Sequence, residues 1–147
     1  MRIALGVGAF LVAVLAVIAG TTWIGEDSST PDVAGVSLAA AGGSGVRGVA
    51  FFEQDGQRMT GFVAVWGLGP NSEHAVHFHG PNSTCGTKAD PVAVHADLKA
   101  DGTGVAYTNV ELEAKQPLLR GGFYYNVHEG PSREAENPEI ACGDLGP

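Results

Sequence analysis

The chain has 147 residues, with eight basic and sixteen acidic side chains and a formal net charge of −8. That length leaves room for one domain. With no basic cluster anywhere, the charge balance excludes nucleic acid and anionic membrane surfaces as electrostatic partners.

Arg2 precedes an apolar run over residues 3–19, followed by Gly20-Thr21-Thr22, the pattern of an export signal. With Trp23 and Ile24 the segment is just long enough to span a bilayer uncleaved, so residues 1–24 are expected to be a signal peptide or a membrane anchor. No clean A-x-A site decides between them, and no cysteine follows to carry a lipoprotein-type anchor. In both cases the domain is expected outside the cytoplasm, secreted or tethered through residues 3–24 to the outer face of the membrane. Residues 25–45 are small, polar and rich in Gly, Ala and Ser, with Pro31 among them. They are expected to form a flexible linker, leaving the folded domain at 46–147. Cys85 and Cys142 are the only cysteines, and an oxidising compartment makes pairing the default.

Along the domain, residues 46–53 and 59–68 read as strands joined by a Gln54-Asp55-Gly56 turn. A Gly-Pro-Asn-Ser turn at 69–72 leads to a strand over 74–80, where apolar residues separate three histidines. Residues 80–91 form a loop around Cys85. Residues 92–98 read as a short strand containing His95 and Asp97, followed by an Asp-Gly turn and a strand over 105–112. The loop 113–122 precedes a strongly β-prone run at 123–128, the polar loop 129–138 follows, and 140–145 closes the chain as a strand around Cys142. No stretch has helical periodicity. Six or seven short strands with regular turns predict an antiparallel β-sandwich or flattened barrel.

On a strand, side chains alternate between faces. His77 and His79 therefore share one face, about 7 Å apart along the backbone, while Val76 and Phe78 point to a core. Two such imidazoles can converge on one metal ion, and imidazole suits copper and zinc. His128 ends the 123–128 run, and His95 holds a similar strand-edge place with Asp97 on its face. Four imidazoles would satisfy the tetragonal preference of copper. Each ligand needs an acceptor for its other N–H, for which Asp97, Asp90 and backbone carbonyls are candidates.

The order His74-x-x-His77-x-His79, Cys85, His95-Ala96-Asp97-Leu98, Val127-His128-Glu129-Gly130 and Ile140-Ala141-Cys142-Gly143 resembles the copper/zinc superoxide dismutases over nearly the whole domain. The resemblance implies a Greek-key β-barrel, copper on His77, His79 and His128, and a Cys85–Cys142 disulfide pinning the first loop to the last strand. It also implies superoxide as the substrate, with no catalytic residue beyond the metal ligands. His74 matches a family histidine that is not a copper ligand. Three departures matter. The stretch after Cys85 is short and offers H-x-D instead of H-x-x-D, so a complete zinc site is not expected. His95 is then expected as a fourth copper ligand or a bridging one, as in the copper-only branch of the family, with Asp97 behind a ligand or as a vestige of the zinc site. The loop after His128 is also shortened, and Glu139 stands where the family has an arginine that attracts the anionic substrate. That sign change is worth on the order of several kcal/mol before screening, unless Arg133 in the same loop substitutes.

A second resemblance rests on Tyr125-Asn126-Val127-His128, Pro138-Glu139-Ile140 and Gly143-Asp144-Leu145. These look like the end of a CHRD domain, an extracellular β module that is not an enzyme. The alternatives to a dismutase are thus a non-catalytic copper-binding module and a CHRD-like interaction domain. Oligomeric state is not specified by the sequence.

Overall fold

The structure is a computed structural model that describes residues 30–134 and 137–146. The expected signal or anchor at 1–24 and the first part of the expected linker lie outside the described residues.

Strict alternation builds the first layer. In β2 (Arg47–Asp55) every second side chain is buried, with Gly48, Ala50, Phe52 and Gln54 inward. β3 (Arg58–Trp66) turns Met59, Val63 and Val65 inward, and β8 (Val105–Glu113) turns Ala106 and Val110 inward. These pair with one another and with β1 (Asp32–Ala40), in the order β1-β2-β3-β8. The second layer runs β6 (Pro91–Val94), β5 (Val76–His79), β9 (Phe123–His128) and β10 (Glu139–Leu145). A small two-stranded sheet joins β4 (Glu73–His74) to β7 (Leu98–Lys99). Every pairing is antiparallel, and among the described residues there is no helix.

The layers join where Ala39 and Ala40 of β1 pair with Cys142 and Ala141 of β10. That close approach requires a glycine at 143, because a Cβ there would lie 2.5 Å from the Ser37 carbonyl oxygen. The chain crosses between layers from β3 to β5, from β6 to β8 and from β8 to β9, and β10 returns beside β1. These are the Greek-key connections of an antiparallel barrel, nearly closed and open between β6 and β8. Between the layers Phe52, Phe78 and Tyr125 form a buried aromatic cluster, with ring centroids 4.9–5.3 Å apart. The spacing is that of favourable edge-to-face aromatic pairs.

Two expectations need correction. The stretch expected to be a flexible linker contains β1, which pairs with β2 over seven residue pairs from Asp32 to Leu38. Ala34, Val36 and Leu38 face the core and alternate with Val33, Gly35 and Ser37 outside. The outward small residues hide this alternation in the sequence, and pairing on both edges supplies what the composition lacks. The fold thus includes residues from Asp32 onwards, ahead of the expected start at 46. The strand expected over 92–98 is interrupted: β6 stops at Val94 and β7 starts at Leu98, which leaves His95 and Asp97 in the connection.

Candidate metal centre

β5 and β9 place the site. Their register sets His77 opposite Asn126 and His79 opposite Tyr124. Val76, Phe78, Phe123, Tyr125 and Val127 are turned into the core, so His77, His79, Tyr124, Asn126 and His128 share the outer face by period-two alternation. His128 is drawn towards His77 because its N–H donates to the Ala75 carbonyl at 2.9 Å, just before β5. The result is a cluster of His77, His79 and His128 with one ring nitrogen from each within 4.8 Å of the others. His79 is buried, and the other two are half-buried.

The hydrogen bonds fix which nitrogens are free. His79 Nδ1–H donates to the Ala89 carbonyl at 2.8 Å, and His128 Nδ1–H donates to the Asn137 carbonyl. A carbonyl only accepts, so in the neutral rings both Nε2 atoms carry lone pairs. His128 Nε2 lies 3.1 Å from His77 Nδ1, which holds the proton between them in the metal-free chain. His79 Nε2 is buried and has no partner among the described residues. A buried acceptor without a partner is unfavourable by about 1–3 kcal/mol, and a metal ion would satisfy it. Of the candidate acceptors behind the ligands, the backbone carbonyls fill the role for His79 and His128.

The other expected residues stand nearby with different partners. His95 stacks on Tyr125 with ring planes 8° apart. Its Nδ1–H donates to the Ala96 carbonyl, and the Tyr125 hydroxyl donates to its Nε2 at 2.7 Å. That lone pair is occupied, and the structure does not bring His95 into the three-histidine cluster. Asp97 accepts from the backbone N–H and the hydroxyl of Ser132, which ties the loop after His128 to the β6–β7 connection. It takes no histidine N–H. His74 donates from Nδ1 to the His128 carbonyl at 2.8 Å and meets Ser72 Oγ through Nε2, bracing the strand end while staying outside the cluster.

Glu139 pairs with His128 in the β9–β10 register and accepts from Asn126 Nδ2 at 2.9 Å. Its carboxylate also approaches Cys85 and Cys142, but these are joined as a disulfide with Cα atoms 5.5 Å apart and offer no thiolate. Arg133 donates to Glu73 at 2.6 Å, so it is engaged away from Glu139. The disulfide straps the 80–90 loop across this face. Cys85 N–H donates to Asp144 Oδ1, Ser83 N–H to the Gly122 carbonyl, and the Tyr124 hydroxyl to the Thr87 carbonyl. Tyr124 also stacks on His79, with centroids 4.8 Å apart and planes 10° apart. Tyr124, Tyr125 and Asn126 were not foreseen as parts of the site. The period-two spacing of 124, 126 and 128 is the sequence signal that could have found the first and last.

Burial first, then the neighbouring His128 and His79, push His77 down to about 4 from an ordinary 6.5. Burial also lowers His95. As pH falls from 6.5 towards 4, the unfolded chain binds protons that the folded chain refuses, so the metal-free protein loses stability through that window. Its melting temperature should drop steadily across it, and the drop should shrink in His77→Gln. A flat profile would show that the cluster is not held neutral.

The disulfide is compatible with a location outside the cytoplasm, and no helix among the described residues is long and apolar enough to cross a membrane. No protein-family model and no curated protein matches the chain.

Proposed function

We propose that the chain is an extracytoplasmic, copper-dependent superoxide dismutase-like protein, secreted or tethered through residues 3–24. The observation that carries this reading is the His77–His79–His128 cluster with its buried, partnerless Nε2 on His79. Structural histidines ordinarily have both ring nitrogens satisfied, as His74 does, which weighs against a CHRD-like module with inert histidines. His79 and His128 would bind through Nε2 and His77 through Nδ1, the His77 proton moving from Nδ1 to its own Nε2 so that all three rings stay neutral. Three neutral nitrogens suit copper. With His95 held by Tyr125 and Asp97 by Ser132, little remains for a zinc site, and one metal per chain is the expectation.

Bound copper supplies a one-electron couple, Cu(II)/Cu(I), by which one superoxide is oxidised to dioxygen and a second, with two protons, is reduced to hydrogen peroxide. The chain's own residues fix and shield the ligands. The Ala89 and Asn137 carbonyls set the His79 and His128 tautomers, and Tyr124 covers one face of His79. The test is metal analysis of protein from its native source, followed by dismutation measured against an equal concentration of free copper. Stoichiometric copper with activity above free copper supports the enzyme. Copper without such activity selects a sequestering module, a reading that the carboxylate of Glu139 beside His128 favours.

Glu139→Arg separates the two. An arginine there attracts an anionic substrate and can donate to Asn126 Oδ1, which is buried and without a partner. Activity should rise roughly tenfold at low salt and fall more steeply as salt is added. Unchanged activity in a copper-loaded, folded variant would remove Glu139 as the brake.

A further inference from the structure

The outer face of the first layer is apolar where a solvated antiparallel sheet would be polar. Phe51 and Phe62, directly paired across β2 and β3, are 54% and 42% exposed. Trp66 and Tyr107 flank them at 42% and 72%, and Val33 and Val49 extend the patch. Aromatic side chains carry 150–250 Å² each, so this patch presents on the order of 600 Å². That is above the ordinary scatter of exposed apolar groups and close to what each partner contributes to a standard interface of about 1,600 Å² in total. Gly35 and Ala64 lie among the aromatic residues and leave room for a facing ring.

The charges around the patch are arranged for self-association. At the β2–β3 hairpin end the outward positions hold Glu53, Asp55, Glu111 and Glu113 against Arg58, which is itself paired with Glu111 at 3.0 Å. At the opposite end the outward positions hold Arg47, Trp66 and Val105, with no carboxylate. A two-fold axis lying in the interface and running across the strands sets the Arg47 end of one copy on the acidic end of the other. It also stacks the Phe51–Phe62 pairs at the centre. We infer that this face binds a second copy of the chain, forming an isologous, face-to-face dimer with an aromatic centre and a charged rim. The metal centre lies on the outer face of the other layer, so dimerisation leaves it open.

The test is the mass of the purified full chain by light scattering after size exclusion, with any detergent mass subtracted. Wild type should be a dimer. Phe62→Glu should weaken association roughly 30-fold or more, as expected for a central aromatic anchor. Arg47→Glu should weaken it roughly fivefold, and Glu53→Arg in that background should restore it, as expected for rim charges. An unchanged β-sheet circular dichroism spectrum and a cooperative melt show that each variant is folded. A monomer at about 100 µM, between the micromolar and millimolar scales of association, would overturn the inference. So would a dimer indifferent to Phe62→Glu, or a monomer that floats with phosphatidylcholine vesicles through this face.

Discussion

His79→Asn should lower copper affinity by more than about 100-fold, well beyond the 10–100-fold typical of losing an outer-shell partner, while leaving the domain folded. Asparagine is chosen because its side-chain nitrogen falls near the place of His79 Nδ1. It can keep the bond to the Ala89 carbonyl that the histidine makes at 2.8 Å, yet it carries nothing in the place of Nε2. Nε2 is also the one ring nitrogen of the cluster that is buried without a partner, so its removal relieves an unsatisfied group in the metal-free protein, while the asparagine Oδ1 brings another acceptor to the place of Cδ2. Stability without metal should therefore change little beyond the lost stacking on Tyr124. The stabilisation that copper confers on wild type should vanish, because a ligand stabilises only in proportion to its binding of the native state. Competition with a chelator of known affinity measures the first quantity, and melting with and without copper measures the second. Wild-type affinity in the variant would show that metal binds elsewhere.

What the sequence made legible follows from the nature of each signal. The strand at 123–128 is legible residue for residue, because Phe, Tyr and Val leave little ambiguity of β propensity. The common face of His77 and His79 followed from alternation alone, and the burial of Val76 and Phe78 bears it out. β1 is not legible in the sequence because its outward positions include Gly35, Ser37 and Ala39, whose composition imitates a tether. Its stability comes from pairing with β2 and β10, partners that local composition does not reveal. The acceptors behind the ligands were legible only as a class. Every residue has a carbonyl, so the choice of Ala89 and Asn137 depends on how the 80–90 and 129–138 loops lie across the sheet. His95 shows the limit of motif spacing. An H-x-D pair beside a histidine strand suggests a ligand, and only the fold shows the Tyr125 hydroxyl already on its Nε2.

The disulfide joins stability to the metal centre, and its removal is the second large effect. Cys85→Ala with Cys142→Ala opens a closed segment of 57 residues, which in the chain-entropy model lowers stability by about 4 kcal/mol. For a domain of this size that corresponds to roughly 20 °C in melting temperature. The local consequence is separable from the global one. Without the covalent strap the 80–90 loop is held by the hydrogen bonds from Cys85 N–H, Ser83 N–H and the Tyr124 hydroxyl, each worth about 1 kcal/mol net. Those bonds are weak enough to open transiently, and each opening frees Ala89 from His79 and lets the imidazole rotate off the cluster. Copper affinity, measured at a temperature where the variant is fully folded, should therefore fall by roughly 10–100-fold, the range seen when a ligand loses its orienting partner. His128 is oriented by Asn137 from the other loop and His79 keeps its Nε2, so the residual binding should stay above that of His79→Asn. Lost stability with unchanged affinity would mean that the hydrogen bonds alone fix the loop, and that the disulfide serves the fold without serving the metal.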